Sequence, residues 1–98
     1  MNQELKEKIV ILNKYSNNLQ QTYKVKKIGV FGSVAKGRQN KKSDLDIIVE
    51  FYKPISMFTF LDLEEYLRKI LKRKIDLVAK GALKPVVRKQ ILKEVIYA

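Results

Sequence analysis

Two short apolar runs, "LDIIVEF" from Leu45 to Phe51 and "KIDLVAKG" from Lys74 to Gly81, constrain this chain more than any other feature. Each reads as a buried strand, and each carries an aspartate near its start, where strands disfavour it. Pro54 closes the first run, because proline removes a ladder donor and restricts the residue before it. Between the runs, Met57 to Lys72 sets Phe60, Leu63, Leu67, Ile70 and Leu71 on one stripe, with Glu64, Glu65, Arg68 and Lys69 largely elsewhere, so an amphipathic helix is expected.

The flanking segments extend the pattern. From Asn2 to about Gln21, Leu5, Ile9, Leu12 and Leu19, with Tyr15 between them, have the spacing of one helical face. The basic "KVKK" leads into "IGVFGS", a strand that turns at Gly32 and Ser33 into the polar loop "RQNKKS", with room for a short helical turn. Pro85 opens a last helix with Val87, Ile91, Leu92 and Val95 on its apolar side. The order helix, strand, strand, helix, strand, helix predicts a single α/β (α+β) domain over residues 1–98, a small mixed sheet flanked by helices. Phe58, Tyr66 and Tyr97 are read as core aromatics and are assigned no contact surface.

Side chains alternate along a strand, so Asp44 and Asp46 share one face and Leu45, Ile47 and Val49 the other. Two like charges at that range repel unless a cation lies between them. The plain alternative is a turn formed by Asp44 with Ser43 and an Asp46 that faces water. Asp76 in "KIDLV" adds a third carboxylate, on the same face if its strand lies beside the first. Three carboxylates on neighbouring strands suit Mg2+, which takes oxygen ligands together with substrate phosphates.

The glycine turn is the complement. Gly32 lets backbone approach a ligand, and Ser33 with the amides of Val34 and Ala35 offers donors to an anion. Lys36, Arg38, Lys41 and Lys42 add positive charge nearby. A Gly-Ser turn, a paired aspartate and a third strand-borne aspartate together fit phosphoryl or nucleotidyl transfer with a two-metal clamp.

Composition removes the rival chemistries. The chain has no cysteine and no histidine, so disulfides, thiol nucleophiles, thiolate or imidazole zinc sites and histidine-dependent triads are excluded. A net charge of +11 favours polyanionic partners, or else reflects a lysine-rich soluble surface. No window approaches the ~18 apolar residues of a membrane span, and "MNQELKEKIV" lacks a signal-peptide core, so no membrane and a cytoplasmic location are expected.

The segment "GVFGSVAKGRQNKKSDLDIIVEF" resembles the Gly-Ser, Asp-x-Asp signature of the DNA polymerase beta-like nucleotidyltransferase superfamily, and most of all its minimal nucleotidyltransferases, or MNT domains. The likeness spans nearly the whole chain, through "KIDLV" to the closing "KPVVRKQILKEVIYA". It implies a nucleotidyltransferase fold in which Gly32, Ser33, Lys36 and Arg38 bind the nucleotide, while Asp44, Asp46 and Asp76 are catalytic and hold Mg2+, as two ions. Lys36 replaces the arginine frequent in the family's "GSxARG" segment, keeping the charge but not the planar fork.

The resemblance further implies an antitoxin that transfers AMP from ATP to a tyrosine of a partner HEPN ribonuclease toxin. With no histidine present, a carboxylate such as Asp76 is the expected base. The chain has no second domain to hold an acceptor, so a partner protein is expected to bring it. Two alternatives stand: an antitoxin that neutralises by contact alone, and a small basic nucleic-acid-binding protein. Against the latter, the basic residues are dispersed and the aromatics do not interleave with them, so nucleic acid is not expected as direct substrate.

Overall fold

Alternation along "LDIIVEF" separates the core of this protein from its polar face. The computed structural model describes residues 2–38 and 43–98. Strand β2 is Leu45–Phe51, and its Leu45, Ile47 and Val49 are wholly buried. They pack with Leu63, Leu67 and Leu71 of helix α4, Met57–Leu71, which leads to strand β3, Ile75–Ala79. Helix α4 is the crossover that parallel pairing requires, and β3 lies parallel to β2. Ser56 caps α4, its Oγ accepting from the Thr59 amide at 3.1 Å, and Lys72 in the left-handed region ends it (φ 54°).

Strand β1, Val25–Phe31, pairs antiparallel with β2 and is followed by the short helix α3, Gly32–Ala35. After β3 and a 3-10 turn at Lys80–Ala82 comes α5, Pro85–Glu94, then β4, Ile96–Tyr97, antiparallel to β1. The sheet order is β3-β2-β1-β4, a mixed sheet as expected.

Three expectations are corrected. The first helix is two, α1 at Gln3–Lys14 and α2 at Ser16–Tyr23, meeting at Tyr15 with φ −99° and ψ 15°. Hydrogen bonds continue through the junction, from Tyr15 N to Ile11 O at 3.1 Å and from Leu19 N to Tyr15 O at 3.0 Å, so the chain bends without stopping. The bend keeps both Leu12 and Leu19 in the core. The last helix stops at Glu94, and the chain continues as β4 because Gly29 leaves room for it. None of the α5 residues is buried, and Val87, expected on the apolar side, is 47% exposed. Of the three aromatics read as core, Tyr66 packs between Tyr15 and Tyr23, whereas Phe58 and Tyr97 are exposed.

A Cβ on Gly29 would lie 2.6 Å from Val95 Cγ2 and 2.9 Å from the Ile96 carbonyl oxygen. Gly29→Ala is therefore expected to destabilise the protein by about 1–3 kcal/mol through overpacking. A lowered thermal midpoint checks this, and an unchanged one contradicts the docking of β4 on β1.

Candidate active site

Parallel pairing in register places Asp46, the second residue of β2, directly opposite Asp76, the second residue of β3. Their side chains are hydrogen-bonded to each other. Neighbouring strands lie about 5 Å apart, and at an effective dielectric near 20 two carboxylate charges there repel by roughly 3 kcal/mol. One proton between them relieves that repulsion. The Asp46 carboxyl is accordingly pushed up to about 6, first by burial, then by the charge and hydrogen bond of Asp76, and least by the charge of Asp44. Asp44 precedes the strand and is exposed.

On the other side, β1 ends at Phe31, which pairs with Asp46, and the chain turns at Gly32 into α3. Gly32 has φ +73°, a conformation that favours glycine. It also has no room for a side chain, since a Cβ there would press on the Asp46 carboxylate, 2.9 Å from Cγ. Helix α3 closes through Lys36 N to Gly32 O at 3.1 Å, and Arg38 N donates to Ser33 O at 2.8 Å. Its first amides, those of Ser33 and Val34 among them, have no intrahelical acceptor and are free to meet an anion. The turn and the carboxylate pair thus share one end of the sheet.

Contacts that no motif announces hold this end together. Asn2 caps α1, its Oδ1 accepting from the Leu5 amide at 2.9 Å, while its Nδ2 donates to the Val34 carbonyl at 2.8 Å and ties α1 to α3. Arg73, just before β3, pairs through Nε with Glu4 of α1 at 3.2 Å. An N-cap is readable from asparagine before an apolar-periodic run, but its second hydrogen bond is not.

The cations expected at the nucleotide are placed differently from one another. Lys36 forms an ion pair with Glu94 of α5 at 3.0 Å. Glu94 also accepts from Gln90 Nε2 at 3.3 Å, and hydrogen bonding to Lys36, then Gln90, holds its carboxyl below the usual range. Arg38 is exposed at the end of the turn, and Lys41 and Lys42 lie outside the described residues. Among the described residues no three acidic side chains already form a group able to hold a metal. The geometry brings together Asp46 and Asp76, with Asp44 exposed beside them. A pair of carboxylates forced to share a proton fits a divalent cation, which does the same work with greater charge.

A phosphate-compatible glycine turn packed directly on a carboxylate pair, on a mixed sheet, defines a nucleotidyltransferase type of protein. Residues 12–98 match the nucleotidyltransferase domain family, and the chain belongs to it. It is similar to MJ0128 of Methanocaldococcus jannaschii, provisionally named a protein adenylyltransferase, with 48% identity over 89% of this chain and 90% of that one. It is 41% identical to the protein adenylyltransferase MntA of Thermococcus cleftensis, over 89% of this chain and 88% of the relative. A solved toxin–antitoxin complex containing MntA, in a mutant form, matches with TM-score 0.70 and 26% identity, over 88% of this chain and 69% of that one.

The raised Asp46 carboxyl gives a signed pH dependence. The folded protein holds this proton up to about pH 6, whereas the unfolded chain releases it nearer pH 4. Over that window the folded state binds more protons, so stability falls as pH rises. Thermal midpoints of the metal-free protein should therefore decline more steeply between pH 4 and 6 than those of Asp46→Asn, which keeps the hydrogen bond without the charge. Parallel curves for the two proteins would contradict the shared proton.

Proposed function

We propose that the protein is an antitoxin that transfers AMP from ATP to a tyrosine hydroxyl of a HEPN ribonuclease toxin, with Mg2+ held by Asp44, Asp46 and Asp76. The observation that carries this reading is the Gly32 turn packed on the Asp46 carboxylate, which would set a bound phosphate directly beside a cation held by that carboxylate. Relatives named as protein adenylyltransferases, and the toxin–antitoxin complex that contains one such fold, support a protein acceptor.

Each residue then has a task. Amides of the Gly32–Ser33 turn receive phosphate oxygens, aided by Arg38. Lys36 reaches the nucleotide only by leaving Glu94, so its part in binding competes with its ion pair to α5. Asp46, once deprotonated, and Asp76 would hold the cation, with Asp44 completing the set. A divalent cation, when bound, neutralises phosphate charge and makes the α-phosphorus more electrophilic. The tyrosine oxygen attacks that phosphorus, its proton passes to Asp76, and the bond to the β-phosphate breaks so that pyrophosphate leaves with the electron pair. Among the described residues no helix is long and apolar enough to cross a membrane.

Incubation with Mg2+, ATP labelled at the α-phosphate and the product of the neighbouring gene, the proposed HEPN partner, should label that product. Asp76→Asn is expected to slow labelling by about 10²–10⁴-fold, the range for loss of a positioned base. Asp46→Asn should abolish it without lowering the thermal midpoint at pH 7, since it removes a half-buried like charge. Labelling by Asp46→Asn at the parent rate would overturn the assignment. Loss of labelling together with full neutralisation of the toxin would make contact, not transfer, the means of neutralisation.

A further inference from the structure

A recess of about 970 Å3 lies beyond the aspartates, at the opposite end of β2 and β3. Met57 and Phe60 of α4 and Leu83 before α5 form its walls with Leu77 of β3. Met57 is 69% exposed and Tyr52, at the rim, 57%, although each is large and apolar. Solvated apolar side chains gathered around one recess mark an interaction surface.

The rim is basic. Lys53, Lys80 and Arg88 border the recess, and Glu50 is the one acidic residue lining it. Lys80 already pairs with Glu50 at 3.7 Å. Among the described residues neither Lys53 nor Arg88 has a carboxylate at ion-pair distance. The occupant must therefore supply apolar side chains flanked by negative charge.

We propose that this groove seats an acidic, amphipathic segment of the protein that accepts the nucleotide, an inference that rests on the reading of the chain as a transferase acting on a protein partner. A second copy of this chain is the wrong occupant, because it brings another +11 charge to a basic rim. Nucleic acid would satisfy the cations and could stack on Tyr52 or Phe60, but Met57, Leu77 and Leu83 make much of the wall aliphatic, which matches apolar side chains better than a run of bases. Position favours the acceptor as well. β3 is an edge strand, with Asp76 at one end and the groove-lining Leu77 to Ala79 following it, a span of about 10 Å. A segment anchored in the groove leaves the rest of its protein beside the aspartates.

The test is titration calorimetry of the full chain with the product of the neighbouring gene, the proposed partner, at low and high salt, alongside AMP transfer. Met57→Glu with Leu83→Glu should weaken the complex about tenfold or more, and should raise the KM for the partner without moving the KM for ATP. Lys53→Glu, at an exposed site on the rim, with Arg88→Glu, at a half-buried one, should weaken it similarly and flatten its salt dependence, an unchanged thermal midpoint showing that the fold is kept. Val10→Glu, at an exposed site on α1, is the control and should bind as the parent does. Parent-like affinity in both groove variants, with the unaltered pair still binding and transferring, overturns the groove alone. Absence of any complex with the unaltered chain overturns the partner reading and the groove with it. Loss of single-stranded RNA binding in the groove variants, with partner binding intact, assigns the groove to nucleic acid and likewise overturns the proposal.

Discussion

Repulsion between Asp46 and Asp76 is the constraint on which this structure turns. Parallel pairing of β2 with β3 sets the two carboxylates opposite one another, and neither side chain has another residue of its strand between it and its partner. Burial first, and then the charge and hydrogen bond of Asp76, push the Asp46 carboxyl up to about 6. A group held in so unfavourable a state costs stability and makes sense where a cation is to replace the proton. The same closeness explains Gly32, where any larger residue would press on the Asp46 carboxylate.

The rest of the fold keeps that confrontation in place. Leu63, Leu67 and Leu71 of α4 bury against Leu45, Ile47 and Val49, so the crossover helix that makes β3 parallel to β2 also anchors it. Arg73 fastens the start of β3 to Glu4, and Asn2 fastens the α3 turn to the same helix. Helix α1 thereby gathers the carboxylate strand and the glycine turn from one side. On the other side, Lys36 and Glu94 connect the turn to α5. The glycine turn is thus braced by both α1 and α5, and the start of β3 by α1.

Much of this was readable from residue order, for identifiable reasons. "LDIIVEF" is bounded by polar and proline signals and emerges as β2 with those bounds, and the stripe from Phe60 to Leu71 emerges as α4. Once two such strands pair in parallel and in register, an aspartate at the second position of each meets the other. What was not readable depends on contacts distant in the chain. The bend at Tyr15 leaves the apolar spacing of Leu12 and Leu19 undisturbed, so periodicity alone passes over it. β4 has two residues and exists because Gly29, far earlier, has no side chain. The ion pair of Lys36 with Glu94 has no linear signature, and the exposure of Phe58 follows from where α4 lies, not from its own pattern.

The most direct test of the central claim is a carboxyl-carbon NMR titration of Asp46 in the metal-free protein and again in saturating Mg2+. A midpoint near pH 6 without metal, falling well below the usual carboxylate range when Mg2+ is added, is the predicted result. An ordinary aspartate midpoint in both conditions would mean that the pair neither shares a proton nor holds a cation, and the account of the site would fail.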